Sequence, residues 1–278
     1  MVNWSTIDVI DVRKTPLVYH YQRWEMDWID NLLSDQKIYF SQPGFLNDPW
    51  DCSPYYDSSC VDNEADHQAH VDYFVGAARR QGTSEQKIAA TEKIWRSDKE
   101  LVRRAIDAAS DQSFDAISKQ YRIYCLTPKP DCQLMWGHYA QAHKGICLGF
   151  KTANDVFCSA LKVIYSDEYP KLNFSSDSLS ENLLPLLVKS KPWEYENEYR
   201  LISEENAHAQ GQGTLRTDNG FFQVPPDALQ SIYVGINTLD TELDKLKALL
   251  KKKAPHIVLK KAIKSRNKYQ IVFKDIPL

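Results

Sequence analysis

The sequence of 278 residues contains no apolar run that approaches the roughly 20 residues needed to cross a bilayer. Its first residues, MVNWSTIDVIDVRK, lack the basic segment and apolar core of a secretion signal. The sequence also lacks a Gly-rich phosphate loop, a nucleophile elbow and an HExxH helix. These absences argue against a P-loop enzyme, a standard kinase, an α/β-hydrolase and a zincin. We therefore expect a cytoplasmic protein without a membrane partner.

The six cysteines form no CxxC pair, and none has the spacing of a zinc ribbon. Without an export signal they are expected to be reduced thiols, and no metal is expected as a cofactor. Hydrophobic residues make up 43% of the chain and charged residues 26%, which is typical of a globular protein with a packed core. The composition therefore excludes a disordered chain and a disulfide-stapled mini-protein.

The formal charge of −3 is unevenly distributed along the chain. Residues 245–278 contain eleven Lys and Arg residues and one acidic residue, so this segment carries +10 and the rest of the chain −13. The basic segment 245–268 is therefore a candidate surface for a nucleic acid. Alternatively, the lysines at 251–253 form the solvated end of a C-terminal helix, where cations also suit the helix dipole.

The hydrophobic pattern predicts short strands that outnumber the long helices and do not alternate regularly with them. It favours a single α+β domain over residues 1–278, with mixed and mostly antiparallel sheets. Residues 62–120 are polar and rich in helix-forming residues, so we expect two or three surface helices inserted into that domain. Farther along, residues 180–190 are predicted to be a helix, residues 198–203 a strand and residues 206–214 a soft loop.

The stretch KSKPWEYENEYRLIS, residues 189–203, holds the most informative group of charges. In an extended chain Glu194, Glu196, Glu198 and Arg200 share one face, with neighbours roughly 6–7 Å apart. Carboxylates this close raise each other's proton affinity, and one of them can stabilise a developing sugar cation or hold a ribose hydroxyl. The alternative is a charged sheet edge on which Arg200 neutralises Glu198.

Two aromatic segments near the N-terminus form a second group, residues 19–21 (Tyr-His-Tyr) and 39–41 (Tyr-Phe-Ser). On adjacent strands they would form the walls of a nucleotide pocket. His20 would supply a hydrogen bond there, and Tyr21 or Tyr39 a stacking surface. The alternative is that His20 is a satisfied core residue among aromatic side chains.

The segment NDPWD, residues 47–51, has the composition of a rigid turn whose side chains cap backbone groups. A metal site built from Asp48 and Asp51 with His67 and His70 would require two distant segments to meet. Nothing in the sequence brings them together, so the turn is the favoured interpretation.

The block LMWGHYAQAHKGICLGF is predicted to contain a helix over residues 132–143, followed by a strand. Five helical residues turn the chain by about 500°, so His138 and His143 cannot bind one ion from a regular helix. The block is interpreted as mostly architectural, with one of the two histidines facing the pocket.

Several segments carry a family resemblance, in the order YHYQRW, IYFSQPGFLNDPWD, YCLTPKPDCQLMWGHYAQAHKGICLGF, VIY, KPWEYENEYRLI and SIYVGI. Together they resemble the bacterial family catalogued as domain of unknown function 2971. The resemblance runs from about residue 17 to residue 236. Its most specific parts are the NDPWD turn, the MWxHYAxxHxGxCLGF block and the WEYExEYR strand.

A second resemblance gives a sharper hypothesis. The order of His20, of Tyr39 or Ser41, and of the Glu196–Glu198 pair is similar to that of ADP-ribosyltransferases. These are α+β folds that hold NAD in a cleft between two small sheets, so the resemblance implies a split-sheet core.

The same resemblance implies roles for individual residues. Glu198 would orient the nicotinamide ribose and steady its oxocarbenium-like transition state, while Glu196 would position or deprotonate the acceptor. His20 would act beside them. The residues expected to contact NAD are Tyr21, Tyr39, Ser41 and Arg200.

We therefore expect an enzyme that splits NAD and either transfers ADP-ribose or hydrolyses it, in a bacterial defence or toxin-type role. The alternative is a non-catalytic module that binds a nucleotide or a nucleic acid. In that alternative, Glu196, Glu198 and Arg200 form ion pairs of structural value only.

Overall fold

A computed structural model describes residues 7–172, 183–206 and 215–278. The loop predicted at 206–214 lies outside the described residues except for its first position, as does the beginning of the helix predicted at 180–190. Within these ranges the protein is a mixed α and β structure with several mostly antiparallel sheets, none of them closed. No helix in the described part of the chain is both long and apolar enough to span a membrane.

The α-helices are α1 (Met26–Asp35), α2 (Glu64–Arg80), α3 (Glu85–Ser97), α4 (Lys99–Gln120), α5 (Gln133–His138) and α6 (Asp240–Lys253). The strands are β1 (Leu17–Gln22), β2 (Lys37–Tyr39), β3 (Tyr55–Tyr56), β4 (Tyr121–Leu126), β5 (Ile146–Lys151), β6 (Leu161–Lys162), β7 (Ile164–Ser166), β8 (Lys171–Leu172), β9 (Val188–Ser190), β10 (Tyr199–Glu205), β11 (Leu215–Thr217), β12 (Phe221–Gln223), β13 (Leu229–Val234), β14 (Val258–Lys264) and β15 (Ile271–Asp275). Short 3₁₀ helices occupy Pro43–Phe45, Ser58–Asp62, Phe157–Ser159, Leu184–Leu186 and Lys191–Glu196.

The larger sheet has the strand order β1-β5-β13-β14-β15. Strand β5, with the sequence ICLGFK, is buried at every position but its last, as expected of an apolar run in the centre of a sheet. Ile146, Leu148 and Phe150 from this strand belong to the main hydrophobic core. Strands β13 and β14 are parallel and are joined through α6, whose buried leucines pack into the same core.

The second sheet has the order β11-β10-β4, with β6 also paired to β10. Its edge strand β4 meets the edge strand β1 of the larger sheet through a backbone pair between Tyr19 and Thr127. The Tyr19 N–H donates to the Thr127 carbonyl at 2.7 Å, and the Thr127 N–H donates back at 2.9 Å. A similar pair joins Ser41 to Ile123. These contacts bring the two N-terminal aromatic segments beside β4.

The smaller strand pairs are β2–β12, β3–β8 and β7–β9. The pairing of β7 with β9 corrects the prediction of a helix at 180–190 for residues 184–190. These residues form a 3₁₀ turn at Leu184–Leu186 followed by β9. Pro185 lies within that turn and cannot donate the hydrogen bond that a continuing α-helix requires.

Residues 64–120 contain the three helices α2, α3 and α4, as the polar and helix-forming composition predicts. Side chains cap two of them, because Asn63 accepts from the N–H groups at the start of α2 and Asp98 does so for α4. Their contact surface is a separate hydrophobic cluster. His67 and His70 are buried here, and each contacts a backbone carbonyl through a ring nitrogen.

Candidate functional site

A cleft of about 490 Å³ opens where β1 and β4 meet. It draws together side chains that lie far apart in the chain, from the first strand to the residues before β10. Its polar lining includes His20, Gln22, Arg23, Ser41, Asn47, Asp51, His138, Tyr139, Gln141, Lys189, Glu196 and Glu198, and its aromatic lining includes Tyr19, Tyr21, Trp28 and Phe45. We call this site the junction cleft.

His20 projects from β1 into the junction cleft, where it is half-buried. Its Nδ1 lies 2.8 Å from the Cys125 carbonyl, and its ring stacks on Tyr124 with centroids 4.1 Å apart. Burial lowers the pKa of His20 to about 4, so the ring is neutral at neutral pH. Because a carbonyl can only accept, Nδ1 carries the proton and Nε2 is the acceptor.

Tyr21 forms part of the same wall. Its hydroxyl donates to the Lys129 carbonyl at 2.7 Å, and its ring meets the edge of Trp136 at 5.3 Å. The hydroxyl therefore bonds to the backbone, and the ring packs in a hydrophobic cluster with Trp136, so Tyr21 is only 6% exposed at the wall of the cleft. Ser41 also lines the cleft, held there by its backbone pair with Ile123.

Tyr39 does not line the junction cleft, which corrects its prediction as an NAD contact. It is 45% exposed and lies directly opposite Phe221 in the β2–β12 pair, with ring centroids 5.4 Å apart. Cross-strand aromatic pairs of this kind are stabilising. Strand β12 follows Tyr39 by about 180 residues, so the residues around Tyr39 do not indicate the contact with Phe221.

The segment before β10 is not extended, which corrects the predicted shared face of Glu194, Glu196, Glu198 and Arg200. Residues Lys191–Glu196 form a 3₁₀ helix with Pro192 in its first turn, and Asn197 adopts the left-handed conformation with φ 47°. Strand β10 begins only at Tyr199, one residue after the predicted start. Glu194 is consequently exposed, whereas Glu196 and Glu198 are each 2% exposed. The two buried carboxylates thus form the inner wall of the cleft rather than its mouth.

Arg200 is fully buried behind Glu198 and does not line the cleft, so its predicted role in binding NAD is wrong. Its guanidinium forms two bonds to Asp51, at 2.6 and 2.9 Å, and two to Glu198, at 2.8 and 3.2 Å. It also donates to the Leu186 carbonyl at 2.8 Å. These acceptors occupy its donors and leave none for a phosphate.

Lys189 links the two glutamates. Its Nζ lies 2.7 Å from Glu196 Oε2, 3.1 Å from Glu198 Oε2 and 3.7 Å from Asp51 Oδ2. The hydroxyl of Tyr139 donates to the other oxygen of Glu196 at 2.5 Å. We call Asp51, Lys189, Glu196, Glu198 and Arg200 the buried charge network. With every member ionised it carries a net charge of −1.

The pKa values of the two glutamates in the network are shifted in opposite directions. Burial raises the pKa of Glu196 above its ordinary value, and the Lys189 charge only partly opposes this effect. Burial also acts to raise the pKa of Glu198, but the charges of Arg200 and Lys189 outweigh it and hold that pKa well below the ordinary value. Glu198 is therefore a fixed anion, and Glu196 is the carboxyl better suited to exchange a proton.

Lys189 and Tyr139 were not predicted as site residues, and Asp51 was assigned to a turn. The turn itself is confirmed, because the Asp48 carboxylate accepts from the Trp50 N–H at 3.0 Å. The turn also places Asp51 in the buried charge network. The sequence around Asp51 does not indicate this contact. Of the two histidines in the predicted helix, His138 at the end of α5 lines the cleft and His143, after α5, does not. In the described part of the chain no group of His, Cys, Asp or Glu is arranged as a metal site.

The mouth of the junction cleft is aromatic. Phe45 is 77% exposed and Trp28 is also exposed, although large apolar side chains are normally covered. The Arg23 guanidinium lies 4.8 Å from the centroid of the Trp28 ring, a cation–π contact. The cleft therefore combines planar apolar surface at its mouth with fixed charges at its inner wall, a combination that suits a ligand with a ring and polar substituents.

Comparison with known proteins finds a family model that matches part of the chain. Residues 135–201 match a family model described as Protein of unknown function (DUF2971). The suspected resemblance to that family is confirmed over this segment, whereas similarity to ADP-ribosyltransferases is not shown. No curated protein and no solved structure gives a significant match. The segment matched by DUF2971 runs from α5 into β10 and contains four of the five members of the buried charge network, all except Asp51.

Proposed function

We propose that the junction cleft binds NAD and cleaves the bond between nicotinamide and ribose, with ADP-ribose passing to water or to another acceptor. The observation that carries this proposal is the meeting of His20 with Glu196 and Glu198 in one aromatic-walled cleft. Residues about 180 positions apart converge there, and the carboxylates are held by buried cations rather than by solvent.

In the proposed reaction, the bond from the anomeric carbon to the pyridinium nitrogen breaks, and nicotinamide leaves as a neutral molecule with the bonding electrons. The ribose ring acquires positive charge in the transition state. Glu198, a fixed anion at the inner wall, stabilises that charge, since a preorganised charge in a site closed to water acts strongly. An acceptor then adds to the anomeric carbon, and Glu196 takes the proton that the acceptor loses.

The remaining lining residues would bind and orient the substrate. Nicotinamide would lie against the wall that Tyr21 contributes, and the acceptor nitrogen Nε2 of His20 would accept a hydrogen bond from a ribose hydroxyl. At the mouth, Trp28 and Phe45 would hold the adenine ring, with Arg23 near the phosphates.

Release of nicotinamide from NAD tests the proposal, with water and candidate macromolecular acceptors supplied. Glu198→Gln should reduce the rate by about 100-fold or more, the usual cost of losing a preorganised electrostatic stabiliser. Glu196→Gln should also reduce it. Glu194→Gln is the matched control, because this glutamate lies in the same 3₁₀ helix but is exposed and outside the cleft. No release by the wild type, or equal rates in all three variants, would contradict the proposal.

A second candidate is a module that binds a nucleotide without turning it over. It is favoured by the observation that Glu196 and Glu198 both form ion pairs with buried cations, an arrangement that can serve stability alone. Calorimetry separates the two functions. The module would bind NAD with measurable heat and release no nicotinamide, and Glu198→Gln would change its melting temperature rather than a rate.

A further inference from the structure

The turn that joins β14 to β15 forms one wall of a second concave site, about 640 Å³ in volume. The opposite wall comes from Gln133 at the start of α5, from His143 and from Ile236. We call this site the hairpin groove. It is separate from the junction cleft, although α5 and the residues after it contribute to both.

The hairpin groove is strongly basic. Lys264, Arg266 and Lys268 line it and are exposed, and no carboxylate is among its lining residues. None of these three side chains forms an ion pair with any acidic residue in the ranges that the structure describes. Three unneutralised cations on one five-residue stretch create a local positive potential that is suited to phosphate groups.

Three other lysines of the basic C-terminal segment already form ion pairs with acidic residues. Lys253 contacts Asp30 at 2.5 Å, Lys260 contacts Asp275 at 2.8 Å, and Lys261 lies 3.5 Å from Asp240. Part of the positive charge of segment 245–268 is thus neutralised by ion pairs within the protein. The charges of Lys264, Arg266 and Lys268 in the groove are not neutralised by any acidic residue that the structure describes and remain available to a ligand.

An aromatic ring completes the groove. Tyr269 is fully exposed, a rare state for a tyrosine, and it directly follows Lys268 in the turn. Its carbonyl accepts from Gln133 Nε2 at 2.7 Å, and the Ser265 N–H donates to the Gln270 carbonyl at 3.0 Å. The backbone of the turn is therefore held against α5 while the phenol ring is left free.

We propose that the hairpin groove binds single-stranded nucleic acid, with phosphates on Lys264, Arg266 and Lys268 and an unstacked base on Tyr269. Charge complementarity selects a polyanion. The free ring beside the cations favours a single strand, because a base can stack on a side chain only when it has left a duplex. This proposal does not depend on the activity assigned to the junction cleft.

The test is fluorescence anisotropy with the full-length protein and a labelled oligothymidylate of about 12 nucleotides. Three phosphate contacts to a single strand predict that affinity falls by about 20-fold between roughly 50 and 200 mM salt. The triple variant Lys264→Gln, Arg266→Gln, Lys268→Gln should abolish binding. The matched control is Lys245→Gln, Lys251→Gln, Lys252→Gln, which removes the same charge from the exposed face of α6 and should leave the affinity within about threefold.

Tyr269 provides an independent check. Tyr269→Ala should weaken binding by roughly tenfold through loss of stacking, whereas Tyr269→Phe should keep the wild-type affinity. Equal losses in the two triple variants would overturn the proposal, since binding would then follow net charge and not the groove. It would also be overturned if the protein bound vesicles containing phosphatidylserine but not the oligonucleotide. Nicotinamide release by the groove variant should equal that of the wild type.

Discussion

Arg200 is the position at which the buried charge network can be broken most cleanly. The change Arg200→Met keeps much of the volume of the side chain but removes five hydrogen bonds within 3.2 Å, four of them to Asp51 and Glu198. Both carboxylates are nearly inaccessible to water, so they would have to remain charged without their partner or take up protons. We therefore expect Arg200→Met to lower the stability of the protein as the loss of one partner of a buried ion pair does.

Removing one partner of a buried ion pair typically costs about 3–5 kcal/mol. For a chain of this length, an unfolding entropy of about 2 cal/mol/K per residue converts that loss into a fall in melting temperature of about 5–9 °C. The loss is large relative to the total stability of roughly 5–15 kcal/mol of a typical protein.

Differential scanning calorimetry and urea unfolding measure this loss. The control is Arg79→Met, which breaks a bidentate pair with Glu85 on the surface of the helical region and should cause no resolvable change. Adding Asp51→Asn to Arg200→Met should cost less than the two single changes together, because one unpaired carboxylate has then been removed. If Arg200→Met were as mild as the surface control, the reasoning about the buried charge network would be wrong.

The structure supports three further predictions. The folded-state pKa of His20, about 4, lies below its ordinary value of 6.5, so the stabilisation present above pH 6.5 should be lost as the pH falls towards 4. It amounts to at most about 3 kcal/mol, and urea unfolding across this range should show a steeper loss for the wild type than for His20→Phe. Gly235→Ala should destabilise the protein, since an added Cβ would lie 2.0 Å from a backbone carbonyl oxygen of the turn after α5. The control is Gly137→Ala, whose added Cβ meets nothing within 4 Å, and thermal melts should show it to be neutral or slightly stabilising. Tyr139→Phe removes a hydrogen bond that lowers the pKa of Glu196, so the acidic limb of the pH–rate profile of nicotinamide release should move to higher pH, and an unchanged profile would argue against Glu196 as the base.

Local periodicity predicted much of the fold. The apolar run ICLGF indicated a strand, and it forms the buried β5 inside the larger sheet. The helical composition of residues 62–120 indicated the helices found there. In each case the burial pattern is repeated over several residues, so the signal lies within the element itself.

The candidate site was less accessible to sequence reasoning. Alternation correctly paired Glu198 with Arg200, which lie two residues apart and form two hydrogen bonds. It failed just before them, because Pro192 and the left-handed Asn197 replace a strand with a 3₁₀ helix. The contact of Tyr39 with Phe221 and that of Asp51 with Arg200 were not predicted for another reason, since each joins residues more than 140 positions apart and depends on tertiary structure.

The most direct measurement is a crystal structure of the protein with an NAD analogue whose bond between nicotinamide and ribose cannot be cleaved. The account predicts the analogue in the junction cleft, with its nicotinamide ring against Tyr21, a ribose hydroxyl near His20 and the anomeric carbon beside Glu198. An analogue found only in the hairpin groove, or a cleft left empty at saturating concentration, would contradict it.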